Sequence, residues 1–288
     1  MTRIFMFPGQ GTQHAGMGGE LFDRFPALVR EADAILGHSI RELCLDDPEG
    51  RLGSTEYTQP AVYVVNAMAL RAARAEGAAP DVAIGHSLGE YNALEAAGVF
   101  GFADGLRLVV ARARAMARVT GGGMAAVLGL DEAVLRLLLR RAGLDAVQVA
   151  NFNTPDQTVI AGPEDGLEEA EALLLDAGAR RVRRLDVSGP FHSTHMAPAA
   201  EEFAPALRAV TLAAPAIPVI ANRTARPYPA NGIAGLLAEQ IHHPVLWRET
   251  VQALDTPDAE FVEIGAGSTL TRMLRDLRTH QPRVIRHA

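Results

Sequence analysis

The serine turn Gly85-His86-Ser87-Leu88-Gly89 constrains the fold of this chain more than any other feature of its sequence. It follows the apolar run Val82-Ala83-Ile84, which is typical of a buried strand, and precedes the helix-like run from Glu90 to Gly98. A serine flanked by glycines between a strand and a helix is the pattern of a nucleophile elbow. The sequence therefore predicts acyl chemistry at Ser87 on an α/β sheet. The alternative is a turn of small residues that only lets the helix pack closely on the sheet.

Composition limits what else the chain can be. Of its 288 residues, 48% are hydrophobic, which is enough to bury the core of one large domain or of one domain with an insert. The formal net charge is −7 and lysine is absent, which argues against a nucleic-acid partner. Cys44 is the only cysteine, and its apolar neighbours predict a buried structural thiol. No signal-peptide pattern or membrane-length apolar run occurs, so we expect a cytoplasmic protein without a membrane partner.

The order of strand-like and helix-like runs predicts a large body and an inserted unit. Strands alternate with helices up to Gly121-Gly122-Gly123, which places the carboxyl ends of parallel strands, and hence ligand chemistry, at one edge of a sheet. The order then becomes β-α-β-β-α-β, which is typical of a ferredoxin-like unit. We therefore predict an α/β-hydrolase-like subdomain with a parallel sheet from residues 1–122 and 188–288, and a ferredoxin-like insert over residues 123–187.

A serine nucleophile needs a base, and the candidate is His192. It lies in a turn-rich stretch just after the insert returns to the body, where a side chain can face the crevice of Ser87. A solvated loop histidine is the alternative. His86 is expected to point away from Ser87 and to serve packing. Because no acidic residue stands out as the partner of the base, a backbone carbonyl is the alternative orienting group.

Arg112 and Gln10 are candidates for binding the acyl group. Arg112 lies on a predicted helix that comes after Ser87 in the chain. A guanidinium can bind a carboxylate through two parallel hydrogen bonds. If it faces the crevice, the substrate acyl group carries a free carboxylate, whereas the alternative is a solvated helix arginine. Gln10 lies between two glycines at a strand end and would donate to an oxyanion beside the Leu88 N–H. A simple tight turn is the alternative for Gln10.

Motifs spread over nearly the whole chain resemble those of the malonyl-CoA:acyl-carrier-protein transacylases. In chain order they are Phe7-Pro8-Gly9-Gln10-Gly11-Thr12-Gln13, Thr58-Gln59-Pro60-Ala61, Gly85-His86-Ser87-Leu88-Gly89-Glu90-Tyr91, Arg112, Asn151-Phe152-Asn153, Gly189-Pro190-Phe191-His192-Ser193 and Glu263-Ile264-Gly265.

The resemblance implies a role for each candidate residue. Ser87 would be the acylated nucleophile, and His192 its general base and acid. Gln10 and the Leu88 N–H would form the oxyanion hole. Arg112 would hold the malonyl carboxylate.

Two further positions take their roles from the same resemblance. The carbonyl that orients the base would come from the loop His242-His243-Pro244-Val245, at His243, although family members more often have asparagine there. Phe191 resembles the residue at this position in malonyl-selecting members. Its ring would leave less room for a branch at the α-carbon of the acyl group.

The pathway follows from two other segments, Glu90–Leu94 and Ala221–Tyr228, which resemble freestanding acyltransferases that serve polyketide synthases. We therefore expect malonyl-CoA and an acyl carrier protein as substrate and partner, no metal or redox cofactor, and a monomer. The housekeeping transacylase of fatty-acid synthesis, an acyl hydrolase that clears carrier proteins, and a catalytically idle docking module are the alternatives.

Overall fold

The computed structural model describes residues 1–280 of the chain. Its strands are β1 (Thr2–Phe7), β2 (Val82–Gly85), β3 (Gly122–Leu128), β4 (Gln148–Thr154), β5 (Gln157–Pro163), β6 (Arg181–Arg184), β7 (Ile220–Ala221), β8 (Arg226–Pro227) and β9 (Ala259–Glu263). Its α-helices are α1 (Leu21–Arg24), α2 (Pro26–Leu36), α3 (Ile40–Leu45), α4 (Thr55–Ala75), α5 (Gly89–Ala96), α6 (Phe102–Ala117), α7 (Glu132–Arg141), α8 (Glu164–Asp176), α9 (Ala197–Ala209), α10 (Ile233–His242), α11 (Trp247–Leu254) and α12 (Thr269–His280).

A parallel sheet of order β2-β1-β9 forms the centre of the body. Because side chains alternate between the two faces of a strand, β1 contributes to two cores. Phe5 and Phe7 pack into the core shared with α4, α5 and α6. Ile4 and Met6 face the opposite core, built with α11 and α12. A strand buried on both faces has a continuous apolar sequence, as β1 does. The predicted α/β class with a parallel sheet is confirmed.

A second, antiparallel sheet of order β4-β5-β3-β6, here called the small sheet, lies between the two halves of the body sequence. With α7 and α8 its elements follow the predicted order β-α-β-β-α-β, and these helices share a separate apolar core with it. The small sheet is joined to the body where the N–H of Phe152 donates to the carbonyl of Val245, at 2.9 Å. Since β3 already begins at Gly122, the division into residues 1–122 with 188–288 and 123–187 stays a prediction.

Local interactions set where the first helices begin and end. The chain does not form one helix over residues 20–36, because it breaks at Phe25, whose backbone leaves the helical region (φ −126°, ψ 53°). The next residue is Pro26, which disfavours helical geometry in the residue before it. The first turn of α3 is capped by Ser39, whose hydroxyl accepts from the N–H of Glu42.

Candidate active site

Ser87 lies at a strained turn between β2 and α5. Its φ of 53° is in the left-handed region, which a residue with a side chain rarely adopts. The two flanking glycines permit close packing: a Cβ on Gly89 would lie 2.0 Å from the carbonyl oxygen of Phe7, and one on Gly85 would meet the backbone of Gly89 at 2.0 Å. The turn is therefore a nucleophile elbow packed directly against β1, and its hydroxyl is presented at the carboxyl end of the sheet.

The hydroxyl of Ser87 is hydrogen-bonded to His192, with 2.7 Å between Oγ and Nε2. On the other side of the ring, Nδ1 lies 2.8 Å from the carbonyl oxygen of Gln240. A carbonyl oxygen can only accept, so we assign the ring proton to Nδ1 and leave the Nε2 lone pair for the serine hydroxyl. Burial, reinforced by the nearby charge of Arg112, lowers the pKa of His192 to about 3, which keeps the ring neutral with its Nε2 lone pair facing the serine hydroxyl.

The side chain of Arg112 reaches from α6 into the same pocket and is 1% exposed. Its Nη1 donates to Oε1 of Gln59 at 2.6 Å, and its Nη2 donates to Oε1 of Gln240 at 2.9 Å and to Oγ of Ser87 at 3.1 Å. Within residues 1–280 it forms no ion pair, and its Nε is buried without a hydrogen-bond partner. Burial lowers the pKa of this guanidinium. An unpaired buried charge is costly, so the pocket is suited to an anionic group next to Ser87.

The oxyanion-hole candidates lie on the other side of the elbow. The loop after β1 touches the elbow at Gly9, where a Cβ would lie 2.3 Å from the carbonyl oxygen of His86. The N–H of Leu88 has no protein acceptor among the described residues. The amide of Gln10, however, donates to Oγ1 of Thr55 at 3.2 Å. This bond uses one of the two N–H groups of the amide, and the oxyanion hole stays a prediction.

Comparisons with known proteins agree with this geometry. A family model described as "Acyl transferase domain" matches residues 4–283. The polyketide biosynthesis malonyl CoA-acyl carrier protein transacylase PksC of Bacillus subtilis is 45% identical over 95% of this chain and 96% of its own length. The chain belongs to the acyl transferase family. The polyketide biosynthesis protein ThaF of Burkholderia thailandensis is 48% identical over 95% of this chain, which spans only 24% of that longer protein.

A solved structure agrees with the fold of this acyl transferase over its whole length. The crystal structure of a malonyl CoA-acyl carrier protein transacylase from Burkholderia pseudomallei superposes with a TM-score of 0.94 at 47% identity, covering 98% of this chain and 99% of that one. The predicted resemblance to the malonyl-CoA:acyl-carrier-protein transacylases is confirmed.

The carbonyl that orients the base in this acyl transferase differs from the predicted one. The hydrogen bond of His192 goes to Gln240, not to His243. Helix α10 ends at His242, and the carbonyls of a last helical turn have no partner within the helix, so that of Gln240 is free to accept. The backbone of His243 also lies close enough to the ring of His192 to favour its protonated form. The ring of His243 is bound elsewhere, with its Nδ1 2.9 Å from the carbonyl oxygen of Glu239.

Of the other two predicted neighbours of the base and the nucleophile, Phe191 is buried and His86 is partly buried. Phe191 is 4% exposed and directly precedes His192, so its part in selecting malonyl over branched acyl groups stays a prediction. His86 points away from the serine hydroxyl, as expected. Its Nε2 lies 2.9 Å from Oδ1 of Asn153, and its ring packs against Trp247 with centroids 5.5 Å apart.

Sequence reasoning missed the amides that hold the acyl transferase pocket together. Besides Gln59 and Gln240, Asn222 accepts from the N–H of Ser87 at 2.7 Å and donates to the carbonyl of Gly85 at 2.6 Å, which fastens both sides of the elbow. Asn222 lies in the segment Ala221–Tyr228, whose resemblance to a family indicated no role for this residue. Nothing in its local pattern indicated a contact 135 positions away.

Three remaining expectations concern chemistry elsewhere in the chain. Cys44 is buried, and burial raises the pKa of its thiol to about 12, so it is an inert structural residue as predicted. Among residues 1–280, His, Cys, Asp and Glu side chains form no group of three or more that is arranged to hold a metal ion. Over the same residues, no helix combines the length and the apolar character needed to cross a membrane.

Proposed function

We propose that this chain transfers a malonyl group from malonyl-CoA to the phosphopantetheine thiol of an acyl carrier protein, through an ester on Ser87. The observation that carries the proposal is the buried Arg112 guanidinium, which has no ion-pair partner among residues 1–280 and lies 3.1 Å from the Ser87 hydroxyl. A malonyl thioester places a carboxylate two bonds from its reacting carbonyl, so one short acyl group can reach both residues. The name of the relative PksC, a malonyl CoA-acyl carrier protein transacylase, supports the same substrate and partner.

In the first half-reaction, Oγ of Ser87 attacks the thioester carbonyl while its proton passes to Nε2 of His192. The imidazolium that forms is stabilised by the Gln240 carbonyl at Nδ1. The tetrahedral oxyanion accepts from the N–H of Leu88 and from the amide of Gln10. Collapse breaks the carbon–sulfur bond, and His192 returns its proton to the departing CoA thiolate.

The second half-reaction reverses these roles on a new thiol. His192 takes the proton of the carrier phosphopantetheine thiol, whose sulfur attacks the ester carbonyl. The carbon–oxygen bond then breaks, and Ser87 recovers its proton from His192. Through both halves Arg112 holds the carboxylate, so binding at the far end of the acyl group orients the carbonyl. No step calls for a metal or redox cofactor.

We further infer that the carrier proteins belong to a polyketide synthase. The names of PksC and ThaF both refer to polyketide biosynthesis. The resemblance of the segments Glu90–Leu94 and Ala221–Tyr228 to freestanding acyltransferases of polyketide synthases supports the same pathway. The housekeeping fatty-acid role is the alternative, and rates with carrier proteins of each pathway distinguish the two. Cytoplasmic location and a monomeric state remain predictions of the same proposal.

Covalent labelling tests the proposal directly. The protein incubated with radiolabelled malonyl-CoA should retain label after denaturation, and Ser87→Ala should retain none. Ser268→Ala, the same change at an exposed serine, should be labelled like the wild type. A wild type without label would favour the docking module instead. A label that is lost to water and never reaches a carrier protein would favour the acyl hydrolase.

A further inference from the structure

The side chain of Gln240 joins parts of the pocket that are distant in sequence. Its Oε1 accepts from Nη2 of Arg112 at 2.9 Å, while its Nε2 donates to the backbone carbonyl of Ser87 and to Oε2 of Glu90, each at 2.7 Å. It is 1% exposed. One amide thus links the guanidinium to the elbow, and this is separate from the main-chain bond that Gln240 makes to His192.

The direction of this amide is set by its neighbours. Arg112 can only donate, so it requires the oxygen of Gln240. The ionised carboxylate of Glu90 can only accept, so it requires the nitrogen. Glu90 is itself fixed, because its Oε1 accepts from the N–H of Asn222 at 3.0 Å and from the hydroxyl of Tyr228 at 2.7 Å. Burial raises the pKa of Glu90 to about 7, so the carboxylate is ionised in mildly alkaline solution.

The other amide on the guanidinium lacks such an anchor. Gln59 accepts from Nη1 of Arg112, but the one acceptor that its own nitrogen has among residues 1–280 is the sulfur of Met116, at 3.5 Å. Sulfur is a weak acceptor. Besides its direct hydrogen bond to Oγ of Ser87, at 3.1 Å, the guanidinium is therefore held to the backbone of the Ser87 elbow through Gln240.

We infer that the side chain of Gln240 is a positioning residue, which holds the Arg112 guanidinium in place relative to the Ser87 elbow and so sets the preference for acyl groups that end in a carboxylate. Glu90 determines which way the amide of Gln240 faces. This inference rests on the proposed malonyl transfer. It concerns only the side chain, since the main-chain carbonyl of Gln240 orients the base.

The variant Glu90→Gln tests the direction of the amide with almost no change of shape. Either orientation of the new amide places its N–H₂ group against another donor, the amide of Gln240 or the N–H of Asn222. If Gln240 turns in response, its own N–H₂ group meets Arg112. At pH 8 we expect the ratio of malonyl to acetyl loading rates to fall roughly 10- to 100-fold, the effect of losing a hydrogen bond to a charged group.

The variant Gln240→Leu removes the amide and keeps the main-chain carbonyl that binds His192. The same fall in the malonyl-to-acetyl ratio is expected. Glu239→Gln is the matched control, because this exposed neighbour on α10 faces away from the pocket and its side chain lies 3.6 Å from Arg223. Its loading ratio should equal that of the wild type.

Loading is followed by intact-mass spectrometry of the acyl-enzyme with malonyl-CoA or acetyl-CoA, and folding by thermal melting. A merely structural role of Gln240 would slow both acyl groups equally and leave the ratio unchanged, which overturns the inference. If Gln240→Leu does not fold, Glu90→Gln decides. A wild type that forms no malonyl ester contradicts the proposed function itself, whereas normal ratios in both variants contradict only the role of Gln240.

Discussion

The guanidinium of Arg112 in the body and that of Arg136 beside the small sheet have opposite surroundings. Arg136 lies on α7, is about half exposed, and pairs with the carboxylate of Glu132 at 2.9 Å. Arg112 is buried, and its hydrogen bonds go to two neutral amides and a hydroxyl. An exposed pair contributes little because water screens it. Arg112 has no carboxylate in direct contact among residues 1–280, although the charge of Glu90 is near enough to raise its pKa, so its guanidinium can still bind a carboxylate directly. The comparison indicates that the pocket is built to receive a carboxylate from outside the chain.

The largest expected effect is that of replacing Arg112 with alanine, compared with the same replacement at Arg136. Arg112→Ala should lower kcat/KM for malonyl-CoA roughly a thousandfold, because breaking a buried ion pair with the substrate costs several kcal/mol. Acetyl loading should persist. Arg136→Ala should change neither rate beyond about twofold. Steady-state kinetics with both thioesters checks this, and malonyl transfer that survives in Arg112→Ala would remove the basis of the comparison.

Backbone packing offers the next largest contrast between the two regions. Gly89→Ala brings a Cβ to 2.0 Å from the carbonyl oxygen of Phe7, so we expect a loss of more than about 3 kcal/mol in the free energy of unfolding, or no folded protein. Gly143→Ala, after α7, meets no atom within 4 Å and carries only the cost of a φ of 72°, about 1 kcal/mol. Denaturant unfolding measures both. Equal losses would show that the elbow tolerates more movement than its contacts indicate.

The buried carboxylate of Glu90 makes the body sensitive to pH. Its pKa is raised by burial from 4.5 to about 7, so the native state holds a proton that the unfolded chain has already released in this range. The contribution of Glu90 to stability is therefore complete below pH 4.5 and is lost as the pH rises through 7, by at most about 3 kcal/mol.

Thermal melting of the wild type and Glu90→Gln between pH 4.5 and 8 tests the sign of this effect. The wild type should lose stability relative to the variant as the pH rises. Glu239→Gln serves as the control for removing one carboxylate. Parallel curves for the wild type and Glu90→Gln would mean that Glu90 stays ionised throughout.

The smallest effect is expected at the edge of the small sheet. Arg184 on β6 pairs with Glu164 at the start of α8, where both side chains are partly exposed. Arg184→Ala should change the free energy of unfolding by less than about 1 kcal/mol, and the difference should shrink in high salt. Urea unfolding at two salt concentrations measures it. A larger, salt-independent loss would place this pair among the buried ones and weaken the contrast with Arg112.

Local patterns allowed much of the fold to be predicted. The elbow at Ser87 and helix α8 follow from glycine, apolar and helix-forming residues that act over a few positions. The start of α7 was likewise visible, because Asp131 accepts from the N–H groups of Ala133 and Val134 as a helix cap does. The break before Pro26 also has a local cause.

The arrangement around Arg112 could not be derived in the same way. Its partner Gln240 is 128 positions away, and Glu90 contacts Gln240 across 150 positions. A glutamine on an amphipathic helix gives no sign of what it meets after folding. The resemblance to a family supplied the role of Arg112, but it placed the orienting carbonyl at His243, because sequence alone does not show where α10 ends or which of its last carbonyls is free.

The acceptor behind the imidazole is a peptide group, and every amino acid brings one. Alanine scanning through α10 would report the loss of the Gln240 side chain but not the role of this carbonyl, since each replacement restores the same oxygen. Only a change of chain length near residue 240, or replacement of the amide linkage itself, would displace it. The carbonyl that orients the base is therefore fixed by the path of the backbone, whereas the hold on Arg112 depends on which side chain stands at the same position.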